Sequence, residues 1–152
     1  MKKLVFTILL LSFSLITKAQ SNAQDSVKQV INNMFKAMLQ ADSAGIINCF
    51  TEEALMQTFT KNKEGKIIIK SNTVLDFALQ ISKLPKDSAD EQITFESIKI
   101  DGPMASVWTP YKLYFNKRFL HCGVNHFVLA RLNGIWKIQY IIDTRRKQGC
   151  GE

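Results

Sequence analysis

Four polar side chains near the C-terminal end, His121, Asn125, His126 and Asp143, are of the types that move protons or anchor a ligand. An imidazole beside a carboxylate holds one tautomer and an altered pKa, which is what general acid–base catalysis uses. If Asn133-Gly134 closes a two-residue turn, Leu132 faces Ile135 across a hairpin. Asp143 then stands opposite Val124 and diagonal to His126, on the outward face. The same placement also describes an ordinary cross-strand surface pair, contributing a few tenths of a kcal/mol. No nucleophile stands beside it, so no catalytic residue is assigned. Asn125 is the better candidate for ligand contact. On this register it lies inward with Phe127, Leu129 and Tyr140, and a buried amide requires hydrogen-bond partners. Phe35, Trp108, Tyr111, Tyr114, Phe127, Trp136 and Tyr140 could stack a flat heterocycle, although Phe35 and Trp136 read as core filling. The candidate ligand-binding set is therefore Asn125, Phe127, Tyr140, Tyr111, Tyr114, Trp108 and His121. No CxxC motif or Cys/His cluster has zinc spacing, and neither a metal nor another cofactor is expected.

The elements that must position these residues are legible in the spacing. From Asp25 to Ala41, Val27, Val30, Ile31, Met34, Phe35, Met38 and Leu39 form one apolar helical stripe, with Ser26 and Gln29 as a capping box. A short helix is expected over 43–50, with Thr51-Glu52-Glu53 leading by a turn or directly into a strand at 55–60. Glu52 and Glu53 sit where exposed acids are expected. Lys61–Lys66 is a polar turn, Ile67–Ile69 a strand stub, 73–84 a helix stopped before Pro85, and 86–91 a loop. The character then changes to strands at 93–100, 105–115, 119–132 and 135–144, with Pro110 forcing a bulge or an edge position. Helices followed by an antiparallel meander make an α+β domain. On the hairpin register, Lys137, Gln139, Ile141 and Asp143 share the outer face with Ala130, Val128, His126 and Val124. That face is too apolar for plain exposure and is expected to self-associate.

The chain has 152 residues, 46% hydrophobic and 22% charged, which suits one domain with a real core and excludes a disordered or fibrous chain. Met1-Lys2-Lys3, the apolar run Leu4–Ile16 and Thr17-Lys18-Ala19 read as an export signal cleaved after Ala19. Cleavage removes three of the 20 basic side chains and none of the 13 acids, so the formal charge falls from +7 to +4. The remaining basic groups are interleaved apart from Arg145-Arg146-Lys147 and a looser Lys112, Lys117 and Arg118, and are too sparse for a nucleic-acid stripe. The mature chain, residues 20–152, is expected to be periplasmic or secreted, with no membrane segment and no nucleic-acid partner. Of its cysteines, Cys122 and Cys150 flank the last hairpin and are the pair to bridge; three unpaired thiols with Cys49 is the other reading.

These elements resemble the nuclear transport factor 2-like (SnoaL-like) cone. The resemblance is carried by the first helix, by Phe50-Thr51-Glu52-Glu53-Ala54 after it, and by Asn133-Gly134-Ile135-Trp136-Lys137-Ile138. More narrowly, His121-Cys122-Gly123-Val124-Asn125-His126-Phe127 and Ile142-Asp143-Thr144-Arg145-Arg146 look like an exported bacterial branch labelled lumazine-binding. The resemblance covers about all of the mature chain. It implies a cystatin-like α+β cone with about three helices on a bent antiparallel sheet, a pocket between them, a homodimer, and a pteridine-like or other hydrophobic ligand. Enzymes of that superfamily use a carboxylate base with Tyr/Asp oxyanion donors. Here Met34-Phe35-Lys36 supplies no inward Tyr or Asp, so no catalytic residue carries over.

The reading is thus an exported small-molecule-binding protein, homodimeric through its outer sheet face. The alternatives are an isomerase, dehydratase or hydrolase whose base is Glu52, Glu53, Asp143 or a His, and a dimeric scaffold. The enzymatic alternative requires a perturbed carboxylate or imidazole inside the pocket. Intact mass of the exported form is expected to place Gln20 at the N-terminus; a chain retaining Met1 would overturn the leader assignment.

Overall fold

The structure, a computed structural model, describes residues 22–150. The expected leader lies outside the described residues. Helix α1 runs over 22–39 and buries Val27, Ile31, Met34, Ala37 and Met38 along the expected stripe. It is already helical at 22, so Ser26 is not a cap; its hydroxyl donates back to the Asn22 carbonyl at 2.9 Å. Ala41 reverses the chain at φ 54°, and Asp42 caps α2 (Ser43–Asn48) by accepting from the Gly45 amide at 2.9 Å. Thr73 caps α3 (Val74–Ile81) in the same way, through the Asp76 amide.

The strands are β1 (Phe50–Lys61), β2 (Ile67–Thr73), β3 (Ala89–Ile93), β4 (Ser97–Asp101), β5 (Met104–Phe115), β6 (Arg118–Leu132) and β7 (Ile135–Asp143). They form one bent, open sheet in the order β2-β1-β7-β6-β5-β3, with β4 also on β5. The helices pack on its concave side, as the α+β cone requires. The sheet is mixed, because β1 runs parallel to β7 beside the otherwise antiparallel strands. Inside, Phe127, Ile31, Ile46, Leu129 and Ile138 are buried, and the Phe35 ring meets Phe127 edge-on with centroids 6.1 Å apart. Among the described residues no helix is long and apolar enough to cross a membrane.

Two local features of the sheet depart from expectation. The stretch 93–100 is two strands, not one, and 89–93 of the expected loop and strand is paired. Both β3 and β4 pair with the same edge of the long β5, either side of a break at 94–96. Pro110 lies at that break. Its carbonyl accepts from Thr94 at 2.9 Å on that side, so its missing N–H falls where the neighbouring strand is interrupted, and its pairing with Val124 stays in register without a bulge.

The second departure decides the site. Asn133 (φ 51°) and Gly134 (φ 84°) form the expected two-residue turn, with Leu132 opposite Ile135. Beyond Leu129↔Ile138, however, the next pair is Val128↔Tyr140, so Gln139 is extra. Its side chain meets the Thr51 hydroxyl at 2.8 Å and the Glu53 carbonyl at 3.3 Å, both on β1. A one-residue insertion exchanges the faces of everything after it. Ile141 and Asp143 therefore turn inward, and Tyr140 and Ile142 turn outward.

Finally, Cys122 and Cys150 form a disulfide, while Cys49 is free and buried, its thiol pushed up by burial. Closing 28 residues of chain contributes about 3.6 kcal/mol on an unfolded-state entropy argument. The bridge extends a ladder in which Cys122 and Arg146 exchange backbone hydrogen bonds and the Thr144 amide donates to Val124. Gly123 lets this strap close: a Cβ there would run into the Thr144 carbonyl and come within 2.8 Å of the Tyr111 ring. Gly123→Ala is expected to cost about 1–3 kcal/mol, read as a lower midpoint in urea unfolding; a change within 0.5 kcal/mol would mean that the strap yields freely.

Candidate functional site

A cavity of about 450 Å³ lies between α1, α3 and the concave face of the sheet. Its helix side is apolar, built by Met34, Phe35 and Met38 of α1 and Phe77 and Ile81 of α3. Its sheet side ends in a polar group: Glu91 of β3, Tyr111 of β5, His121 and Asn125 of β6, Asp143 of β7 and Arg145 just beyond it. Alternation brings the first four inward. Leu113 faces both Glu91 and His121 across β5, while Tyr111 and Thr109 face Gly123 and Asn125. Asp143 joins them opposite Asn125 only because of the Gln139 insertion.

The polar groups divide into two linked sets. Asp143 is held by Arg145, whose Nε donates to Oδ2 at 2.8 Å and whose second terminal nitrogen reaches Oδ1 at 3.4 Å. The Tyr111 hydroxyl lies 3.0 Å from the Thr144 carbonyl, 3.3 Å from Asp143 Oδ2 and 3.2 Å from His121 Nδ1. Neither oxygen neighbour has a proton to give, so the single phenolic proton goes to one of them. The hydroxyl oxygen can then only accept from His121, which assigns the proton on that ring to Nδ1 and leaves Nε2 as an acceptor. In the second set, Asn125 Nδ2 donates to Glu91 Oε1 at 2.7 Å, and the Asn125 backbone carbonyl accepts from the buried Thr109 hydroxyl at 3.3 Å.

These surroundings shift the titrating groups. Burial pushes Glu91 up from 4.5 to about 7, opposed by the Asn125 hydrogen bond, raised further by the Asp143 charge and lowered by that of Arg145. Burial, then the Asp143 and Glu91 charges, also raise the Tyr111 hydroxyl, so it stays a proton donor. His121 is lowered by burial and by Arg145, which keeps the ring neutral. Burial disfavours the Arg145 cation, but its hydrogen bond to Asp143 and that carboxylate's charge outweigh this and raise it. One further polar atom is notable. Thr58, beside Asp143 on β1, has a buried hydroxyl oxygen with no hydrogen-bond partner.

Of the seven residues singled out from the sequence, Asn125, Tyr111 and His121 line this cavity. Phe127 is fully buried in the core against Phe35. Trp108, Tyr114 and Tyr140 lie on the other face of the sheet. Trp108 stands exposed against the His126 ring, Tyr114 against Phe119, and the Tyr140 hydroxyl donates to Gln57 at 2.6 Å. The outward placement of Tyr140 corrects its expected inward facing, for the reason given by the Gln139 insertion. The same insertion removes the expected His126–Asp143 neighbours: His126 lies outside, its Nε2 2.9 Å from the Ser106 hydroxyl. The walls are thus thioether and phenyl groups more than tyrosine and tryptophan. Glu52 and Glu53 are exposed, away from the cavity. Sequence reasoning missed Glu91, which lay in an expected loop, and Arg145, which read as solvated tail. Among the described residues no group of three or more His, Cys, Asp or Glu could hold a metal ion.

No protein-family model matches the sequence, and no curated protein matches it. Solved structures do resemble it. A nuclear transport factor 2-like protein of unknown function from Shewanella baltica OS155 is 15% identical with a TM-score of 0.66, covering 84% of this chain and 97% of its own. A protein of unknown function from Mycobacterium tuberculosis is 13% identical with a TM-score of 0.71, covering 88% of this chain and 77% of its own. A cystatin-like domain of unknown function from Nostoc punctiforme PCC 73102 is 14% identical with a TM-score of 0.64, covering 83% and 78%. The chain therefore has the nuclear transport factor 2-like, cystatin-like fold.

Because Glu91 is raised from 4.5 to about 7, its protonated form favours the folded state. Its contribution to stability is present in full below about pH 4.5 and is lost as the pH climbs through about 7. Relative to the wild type, Glu91→Gln is expected to gain stability steadily across that window and level off above it. Urea unfolding at a series of pH values reads the difference; parallel curves would show that Glu91 titrates normally.

Proposed function

We propose that the mature, exported chain binds a small amphipathic molecule in the cone cavity and pairs with a second copy through its outer sheet face. The observation that supports this reading is the two-sided lining of the cavity. Its volume is in the range of ordinary small-molecule pockets, and a largely apolar wall with a few convergent polar groups is the usual form of such sites. The ligand's apolar body lies against Met34, Phe35, Met38 and Phe77, where flexible thioethers adapt to its outline. Its polar group meets Glu91 and Asn125. On the outer face, Trp108 is 44% exposed beside the mixed apolar surface of Val124, Val128 and Ile142, which supports self-association.

One observation favours a second reading, an enzyme of proton-transfer type. Glu91, raised to about 7, shares one cavity end with a second carboxyl group, the Arg-paired Asp143, and acid–base sites use such pairs in unlike surroundings. Turnover lost in Glu91→Gln with ligand affinity kept would select this reading.

The methionines provide a direct test of binding. Met34, Met38 and Met56 line the cavity, whereas Met104 is 52% exposed and outside it. With methyl-labelled methionine, a fragment that binds is expected to shift the first three resonances and leave Met104 in place. A fragment library that moves none of the three at millimolar concentration would overturn the proposal.

A further inference from the structure

The two carboxyl groups at the polar end are not equally provided for. Asp143 has its counter-ion, since Arg145 contacts both of its oxygens. Glu91 has only an amide, the Asn125 donor at 2.7 Å on Oε1. Every other group that faces it is neutral or already committed. From β5 comes the Tyr111 hydroxyl, whose proton is given to Thr144 or Asp143. From β6 comes His121, a ring whose charged form is disfavoured by burial and by Arg145. From α1 and α3 come Met34, Phe35, Met38, Phe77, Gln80 and Ile81, none of them ionisable. The Asp143–Arg145 pair does not supply the missing cation either, because the guanidinium is engaged with both Asp143 oxygens and its charge is matched there. An ionised, part-buried Glu91 thus leaves one uncompensated negative charge at the polar end of a largely apolar cavity, a situation that a proton or an incoming cation relieves.

We propose that the ligand of this cavity is a small organic cation, an ammonium group carried on an apolar body, with Glu91 as its counter-ion. The inference rests on the binding reading above and adds the charge of the ligand to it. An inorganic ion does not fit, because among the described residues no cluster of three or more ligating side chains is present, and most of the cavity is apolar. The aromatic and thioether wall of Phe35, Phe77, Met34 and Met38 suits an alkyl or aryl body. A carboxylate ligand would meet two acidic groups and only one cation, and that cation is already paired. A neutral alcohol would find hydrogen bonds but would leave Glu91 uncompensated.

Three probes with one carbon framework separate these cases: 2-phenylethylammonium, 2-phenylethanol and 3-phenylpropanoate, titrated into the mature protein with methyl-labelled methionine. At pH 8 the ammonium is expected to bind at least about tenfold more tightly than the alcohol, with the carboxylate weakest, tenfold being the weight of one pKa unit. Because ammonium binding requires the ionised carboxylate and Glu91 titrates at about 7, its affinity is expected to fall at least about tenfold between pH 8 and pH 5.5 while that of the alcohol holds. Glu91→Gln is expected to remove both the preference and the pH dependence, and a ligand-free spectrum that keeps the dispersed Met34, Met38 and Met56 methyl resonances is the proof that the cavity is intact. The wild-type pH profile reads the same carboxylate should that variant fail to fold. Equal or tighter binding of the alcohol or the carboxylate at pH 8 would overturn the cation assignment and leave the cavity a binding site. No shift at Met34, Met38 or Met56 with any of the three would remove the binding reading itself.

Discussion

Asp143 enters the interior carrying a charge, and a charge withdrawn from water has to be paired and hydrogen-bonded where it lands. Arg145 and the Tyr111 hydroxyl do this, and much of the C-terminal architecture follows from the requirement. Tyr111 must lean across Gly123, where a side chain would be in its way. The segment after β7 must turn back along β6 so that Arg145 can reach Asp143, and the Cys122–Arg146 ladder and the Cys122–Cys150 bridge hold it there. The half-exposed guanidinium keeps contact with solvent while its partner is nearly buried, which limits the desolvation cost of the pair.

The polar end is also where the fold is least economical as a core. Glu91, His121, Asn125 and Asp143 line a cavity between helices and sheet, where aliphatic side chains would pack more stably. A cavity of about 450 Å³ forgoes dispersion contacts along its walls. Both features are understandable if the space is occupied in use, because an occupant restores the missing contacts and partners the polar groups. The cone is shared with structures of unknown function at 13–15% identity, so the fold carries no assignment of chemistry here. What distinguishes this chain is the content of its polar end: one carboxyl group with a counter-ion and one without.

Alternating burial along β5 and β6 shows how cleanly a sheet sorts its side chains once the register is known. From Ala105 to Tyr111 and from Cys122 to Leu129 the inward set includes Thr109, Tyr111, Asn125 and Phe127, while Trp108 and His126 face out. Asn125 was therefore legible as an inward amide from the turn alone, since the insertion lies on β7 and leaves β6 unshifted. Trp108 and Tyr114 were not assignable, because Pro110 obscured the phase of β5. Pro110 proved harmless to the register: its missing donor faces the gap between β3 and β4.

Local chemistry was enough for the elements whose cause is local. The apolar stripe of α1 and the Asn133-Gly134 turn each depend on residues within a few positions of one another, and each stands as read. The export signal and the self-association of the outer face were also read from local pattern, and they stand as proposals. The site needed more. Glu91 sits in a segment without an apolar alternation, and it becomes a strand only because the free edge of β5 is there to pair with it. The facing of Asp143 and Tyr140 depends on a single extra residue, Gln139, whose side chain bonds to β1 more than 80 positions away. A strand's pattern has a period of two, so one inserted residue inverts all that follows, and the partner that stabilises the insertion is visible only when the distant strand is in place.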